Sequence, residues 1–375
     1  MDKIWLSSPH IGDKEIQYVN EAFQTNWIAP LGPNVDAFEK QLSQFLKVNE
    51  VVSLSSGTAA LHLALIAVGV KSGDIVLCQT FTFAASAFPI LYLNAEPVFI
   101  DSEKETWNID PELTEKAIIE SISKGKKPAA IIIVHLYGMP AKMNELLRIA
   151  KTYEIPVIED AAEALGSEYH NSKCGSMGTV GVLSFNGNKI ITTSGGGGLT
   201  SNDTSIIKKV RHLSAQSKEP APYYLHKEIG YNYRLSNVCA GIGRGQMEVL
   251  HERVNRRREI YNLYKVGFKN TEGISFVEEP LGTLSNRWLT TLLFDKHTFE
   301  TGINNKVRIE LERQKIESRL LWKPLHQQPV FENKTAFLNG VSDNLFENGL
   351  CLPSGSNLTN QEVLRTIESI KKVIV

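Results

Sequence analysis

Over roughly its first two-thirds, this chain alternates two hydrophobic patterns. Short continuous apolar runs at residues 75–78, 97–100, 129–134, 156–158 and 180–185 predict buried strands. Runs without polar alternation suit a mostly parallel sheet covered on both faces. Between them lie amphipathic stretches such as 36–46, which puts Phe38, Leu42, Phe45 and Leu46 on one face of a helix. Strands alternating with helices predict an α/β domain with right-handed crossovers. Such sheets bind ligands beyond the carboxyl ends of their strands. Asp160 follows one of these runs, and Ser184 closes another. A long charged helical stretch, 247–268, then leads toward a smaller C-terminal domain. The expected division is 1–250 for the large α/β domain and 251–375 for a small α+β domain.

Composition narrows the classes. The 375 residues favour two domains, and 42% hydrophobic with 22% charged is ordinary for a globular protein. Forty basic against 41 acidic residues give a net charge of −1, which argues against a bulk preference for nucleic acid or an anionic membrane. Arg253 and Arg256 to Arg258 are interleaved with Glu248, Glu252 and Glu259, and read as a solvated helix face. Cys78, Cys174, Cys239 and Cys351 have neither metal nor redox spacing, so reduced thiols and a cytoplasmic setting are expected. No signal-peptide pattern or membrane-spanning run is seen. His62, His135 and His212 lack metal spacing and read as structural.

Three segments carry candidate chemistry. Residues 55–65, Ser-Ser-Gly-Thr followed by an apolar helical run, place free N–H groups and the Thr58 hydroxyl at a helix start. That is a phosphate cradle or a simple N-cap. Asp160 in Glu159-Asp-Ala-Ala-Glu163 is placed either to pair with a protonated ring nitrogen or to cap the next helix. Lys189 lies between an apolar run and the glycines 195–198, expected to form a loop. An amine there can condense with an aldehyde cofactor, with Ser184 upstream as a phosphate hydroxyl. The aromatics of Phe81-Thr-Phe83 suit either a flat ring or the core. No Gly-x-Gly-x-x-Gly follows a first strand, so a dinucleotide site is a poor competitor. Lysine, acid and anion-binding turn together are the parts needed to hold pyridoxal 5'-phosphate.

With these blocks in view, the chain resembles, nearly end to end, the sugar aminotransferases of the DegT/DnrJ/EryC1/StrS family. The blocks are 55–65, Thr80-Phe-Thr-Phe83, His135-Leu-Tyr-Gly138, Glu159-Asp-Ala-Ala-Glu163, 184–197 and Gly230-Tyr-Asn-Tyr-Arg-Leu-Ser236. The resemblance implies the aspartate-aminotransferase-like fold (fold type I) and a transaminase using pyridoxal 5'-phosphate. It implies Lys189 as the lysine that holds the cofactor covalently, Asp160 as partner of the pyridine nitrogen and Glu163 near the phenolic oxygen. Phe83 would stack on the ring, and Gly57, Thr58 and Ser184 would hold the phosphate. Asn232 is expected to reach the phosphate of a partner subunit, which implies a homodimer. Asn286, Arg287, Trp322, Lys323 and His326 are the implied sugar-nucleotide residues.

Within the family, residues 28–32, 188–197, 285–289 and 350–355 resemble the bacillosamine branch, whose members aminate UDP-4-keto-6-deoxy-N-acetylglucosamine. Many relatives carry Gly-Glu-Gly-Gly after the lysine segment, where this chain has Ser194-Gly-Gly-Gly197. The implied donor is L-glutamate and the implied product UDP-4-amino-4,6-dideoxy-N-acetylglucosamine. A GDP-sugar transaminase making perosamine is the nearest alternative. A non-catalytic cofactor-binding regulator is a third, disfavoured by the complete lysine, acid and phosphate set. Dehydratase relatives replace the lysine with histidine.

Overall fold

The strands Ile75–Gln79, Ala130–Val134 and Val157–Asp160 are buried along their whole length, and each opens on an apolar run. They form the middle of an eight-stranded sheet in a computed structural model that describes residues 2–374. The order across the sheet is Glu50–Leu54, Gly197–Ser201, Val180–Ser184, Val157–Asp160, Ala130–Val134, Ile75–Gln79, Glu96–Ile100 and Ala336–Phe337. Every neighbouring pair is parallel except those made by Gly197–Ser201, which runs antiparallel to both its neighbours.

Successive side chains go to opposite faces of the sheet, and both faces are filled. Val76, Cys78, Ile132 and Ile158 share one core with helix Gly57–Ala67, whereas Leu77, Ile131, Ile133 and Val157 share another with helices Pro111–Ser123 and Met143–Thr152. Pairing of Gly197 with both Leu54 and Ser184 puts the start of the antiparallel strand at the carboxyl ends of the two strands beside it. Residues 194 and 195 form a bend, but Gly197 and Gly198 belong to this strand, so the four-glycine loop expected from sequence is two residues shorter.

The long helix spans Asn237–Gly267 and begins ten residues before the predicted start. Its first turns, with Gly241, Gly243 and Gly245, read as a poor helix. Close packing accounts for Gly245: a Cβ there would lie 2.6 Å from the backbone nitrogen of Glu15. Ser236 caps the helix by accepting the Cys239 N–H.

A second sheet, ordered Ile274–Phe276, Thr290–Phe294, Gly349–Leu352 and Arg319–Leu320, is wholly antiparallel. Helices Ile303–Arg313 and Asn360–Ile374 pack with it around Leu292, Leu350, Val307 and Ile367. The expected division at 250/251 falls inside the long helix. Two further segments cross it: Ile4 joins the small-domain core, and Ala336–Phe337 adds a parallel strand to the large sheet.

Candidate active site

The cofactor residues expected from the sequence, Asn232 apart, converge at the carboxyl edge of the large sheet. A cavity of about 340 Å³ is lined by Gly57, Thr58, Phe83, Asp160, Glu163, Ser184 and Lys189, together with Ser86, Trp288 and Trp322. Strand Val157–Asp160 ends on Asp160, strand Val180–Ser184 ends on Ser184, and helix Gly57–Ala67 begins directly after strand Glu50–Leu54.

At the helix start, Ser56 is the N-cap and its Oγ accepts the Ala59 N–H at 3.0 Å. The N–H groups of Gly57 and Thr58 remain in the first turn, where a helix offers no acceptors of its own. Gly57 is packed so closely that a Cβ would sit 3.0 Å from Ser184 Cβ. Gly197 approaches more closely still, its would-be Cβ falling 2.4 Å from the Ser56 carbonyl. Helix dipole, free N–H groups and the hydroxyls of Thr58 and Ser184 thus face one space suited to a phosphate.

Asp160 is buried. Its Oδ2 accepts from Ser86 Oγ at 2.7 Å and its Oδ1 from the Ala162 N–H at 3.2 Å. Each oxygen keeps a lone pair, as pairing with a ring N–H requires. Burial, aided by Asp160, pushes the neighbouring Cys78 thiol well up, so it stays protonated.

Lys189 Nζ lies 3.7 Å from Glu163 Oε1 and 4.2 Å from the centre of the Trp288 ring. Glu163 Oε2 accepts the Tyr137 N–H at 2.6 Å. Burial raises the Glu163 carboxyl to about 7; Lys189 and the Tyr137 N–H oppose that shift and Asp160 adds to it. A carboxyl poised near neutrality beside an amine can exchange a proton with what the cavity holds. These parts fit pyridoxal phosphate: an anion cradle, an acid for the ring nitrogen and an amine for the aldehyde.

Above them stands an aromatic wall. Tyr137 stacks between Trp322 (ring centres 6.2 Å apart, planes at 5°) and Trp288 (6.4 Å, 19°). Phe83 is half-exposed at the cavity mouth, 5.3 Å from Trp322. A second cavity of about 360 Å³ shares Phe83, Asn188, Trp288 and Trp322 with the first and adds Ser7, Arg319 and Glu317.

The sequence pattern of the DegT/DnrJ/EryC1/StrS aminotransferase family matches residues 9–371. The chain belongs to this family. It is 50% identical over 370 residues to EpsN of Bacillus subtilis, assigned by its name to the pyridoxal phosphate-dependent aminotransferases, covering 98% of this chain and 94% of EpsN. It is 35% identical over 373 residues to GDP-perosamine synthase of Escherichia coli O157:H7, covering 99% of each. Among solved structures, Spr1654 of Streptococcus pneumoniae, described as a sugar aminotransferase in its PLP form, superposes with a TM-score of 0.90 at 27% identity over 100% of this chain and 99% of that one. The DegT/DnrJ/EryC1/StrS chain described here is therefore a pyridoxal phosphate-dependent sugar aminotransferase with the fold type I architecture.

Several residues expected from the sequence lie outside this cavity. Asn286 does not line the cavity: it is fully buried, donating to the carbonyls of Glu163 and Leu165 and accepting the Trp288 N–H. Arg287 is buried away from it, donating to the Val277 carbonyl and resting on the Tyr261 ring. His326 is turned toward Thr80 Oγ1 at 2.8 Å and Asp343 at 3.2 Å, and Lys323 is exposed outside the cavity. Of the five implied sugar-nucleotide residues, only Trp322 lines the cavity. Asn232 is exposed on an extended segment bridged to Ala215 and lies outside the cavity of its own chain. The arginine face is not solvated throughout, since Arg253 and Arg257 are buried. Sequence reasoning missed Ser86, Tyr137 and Trp288; the last two lay inside quoted blocks but carried no local sign of their role.

Proposed function

We propose that the enzyme transfers the amino group of L-glutamate to C4 of UDP-4-keto-6-deoxy-N-acetylglucosamine, releasing 2-oxoglutarate and UDP-4-amino-4,6-dideoxy-N-acetylglucosamine for bacterial glycan biosynthesis. The observation that carries the transaminase part is the convergence of Lys189, Asp160, Glu163 and the helix start on one cavity. When bound, pyridoxal phosphate supplies an aldehyde that takes up the amino group and a ring that stores the electron pair of the broken C–H bond.

The remaining steps fall to the chain's own residues. Lys189 Nζ removes the proton from Cα of glutamate and later delivers one to C4 of the sugar. Asp160 would hold a proton on the ring nitrogen, and Glu163 would serve the phenolic oxygen. Gly57, Thr58 and Ser184 would hold the phosphate, and Phe83 would cover the ring. Trp322 and the adjoining cavity with Arg319 leave room for the sugar and its anionic tail.

The UDP-sugar assignment is supported by the branch resemblance around the lysine segment. Gly195 stands where many relatives carry glutamate; it lines the cavity, with nothing within 4 Å of a would-be Cβ. An uncharged, open wall there suits a bulky anionic substrate. A GDP-linked 4-keto-6-deoxy sugar is the second reading, favoured by the 35% identity to GDP-perosamine synthase.

A homodimer is part of the proposal, with Asn232 reaching the partner's phosphate. The segment just before Asn232 supports this, exposing Tyr223, Tyr224 and Ile229. A cytoplasmic setting suits the four free thiols, three of them buried. No described helix is long and apolar enough to cross a membrane.

The test presents purified enzyme and glutamate with UDP- and GDP-linked 4-keto-6-deoxy sugars and identifies the amino sugar by mass spectrometry. Rapid use of the UDP-linked N-acetyl sugar supports the assignment. Use of the GDP sugar alone replaces it with the second reading.

A further inference from the structure

Arg257 is 1% exposed, and the charge it buries meets no carboxylate among the described ion pairs. Burial alone pulls its guanidinium down to about 9. Its Nε is buried without a hydrogen-bond acceptor among the described residues. A buried, uncompensated cation is costly, and Arg257 stabilises nothing by ion pairing. What it does touch lies on one path to the active site. Its Nη1 donates to the Trp288 carbonyl and its Nη2 to Ser7 Oγ at 3.0 Å. Ser7 Oγ in turn donates to the Asn188 carbonyl at 2.7 Å, and Trp288 Nε1 donates to the same carbonyl, also at 2.7 Å. Asn188 is the residue before Lys189, whose amine lies over the Trp288 ring.

We infer that Arg257 is a positioning residue for Lys189. Its planar fork holds Ser7 and Trp288 in the orientation in which both donate to the Asn188 carbonyl. That closes a ring of contacts from Arg257 through Ser7, Asn188 and Trp288 and back. The ring fixes the backbone immediately before Lys189 and the indole face on which its amine rests. A planar, two-pronged donor suits this task and an ammonium does not, because one point charge cannot meet two separated acceptors in fixed directions. Asn286 completes the support from the other side, accepting the Trp288 N–H while donating to the Glu163 carbonyl, so both members of the Lys189–Glu163 pair hang from one frame. Precise placement of a proton-transferring amine matters because a displacement near 1 Å can cost about 10²-fold in rate.

The inference rests on Lys189 being the acting amine, and the experiment separates the two. In the wild-type holoenzyme, borohydride reduction followed by peptide mass spectrometry locates the cofactor. Label on a peptide other than that of Lys189 overturns the reading and the inference together. With label on Lys189, three variants test the clamp: Arg257→Lys, Ser7→Ala and Trp288→Phe. Steady-state kinetics are paired with reductive methylation of the cofactor-free protein, comparing the Lys189 peptide with that of exposed Lys40. For Arg257→Lys, kcat is expected to fall about 10- to 100-fold, with KM for glutamate within about twofold. Methylation of Lys189 relative to Lys40 should rise about fivefold as the amine loosens. Wild-type kcat and methylation, or a fall in kcat with unchanged methylation at Lys189, overturns the clamp. If Arg257→Lys does not fold, Ser7→Ala decides, since it removes the acceptor of Arg257 Nη2 and one donor to the Asn188 carbonyl, and wild-type kcat and methylation in that variant overturn the clamp. Loss of both donors together should then loosen Lys189 more than either alone.

Discussion

Lys189 Nζ stands 3.7 Å from Glu163 Oε1, with the lysine side chain 12% and the glutamate 5% exposed. The amine therefore has one carboxyl neighbour and an indole face, and little water. Replacing Lys189 by alanine should lower turnover by roughly 10³-fold or more, since proton transfer by a positioned group contributes about 10²–10⁴. It should also leave a cofactor that borohydride no longer fixes to the chain. An active Lys189→Ala enzyme would remove the lysine from its assigned role.

Glu163 links the site to pH. Its folded carboxyl is raised to about 7, chiefly by burial. A raised carboxyl pKa means the fold prefers the protonated form, so that stability is present below the unfolded value near 4.5 and is lost as pH climbs through 7. At one unit per 1.36 kcal/mol the loss is of order 3 kcal/mol. Glu163→Gln keeps an acceptor for the Tyr137 N–H but does not titrate. In the cofactor-free protein, Tm of the wild type should fall relative to this variant between about pH 5 and pH 8. Parallel Tm curves would contradict the assignment.

Asp160 tests the ring-nitrogen role. Asp160→Asn is nearly isosteric and can still meet Ser86 Oγ and the Ala162 N–H, so folding should survive. Loss of the charge should lower kcat by roughly 10²–10³-fold, the range found when a preorganised electrostatic partner is removed. An Asp160→Asn enzyme within a few-fold of wild type would leave the carboxylate a structural cap.

The glycines after Lys189 should differ sharply in tolerance. Gly197→Ala drives a Cβ to 2.4 Å from the Ser56 carbonyl and should destabilise by about 1–3 kcal/mol, besides weakening cofactor retention. Gly195→Ala meets open space and should stay within about 0.5 kcal/mol of wild type. Gly195→Glu should likewise fold, but a carboxylate on that wall should weaken a UDP-linked substrate by roughly tenfold or more. Denaturant unfolding and kcat/KM measured side by side distinguish these effects. Equal stability of the Gly197→Ala and Gly195→Ala variants would undo the packing argument.

Much of this was legible along the chain because it is local. Five apolar runs placed the main strands, for the physical reason that a strand buried on both faces has no polar alternation. The turn before helix Gly57–Ala67, the acid ending strand Val157–Asp160 and the hydroxyl ending strand Val180–Ser184 were also read directly, since each follows its own element. The long helix was misread at its start because Gly241, Gly243 and Gly245 look unfavourable until the packing they permit is seen.

By itself, then, the sequence determined the α/β class and the strand ends, and it singled out the lysine, acid and turn that the fold brings to one cavity. Only the tertiary structure decided that Asn286 supports the site from behind and that Arg257 is buried rather than solvated. It alone brought Trp288 to the cavity and Tyr137 to the adjoining one, and it alone showed Gly195 open where Gly197 is pressed against Ser56. The reason is separation: these contacts join residues far apart along the chain, or depend on which face of an element meets a neighbour. Local periodicity sets which residues share a face, and only packing decides what that face meets.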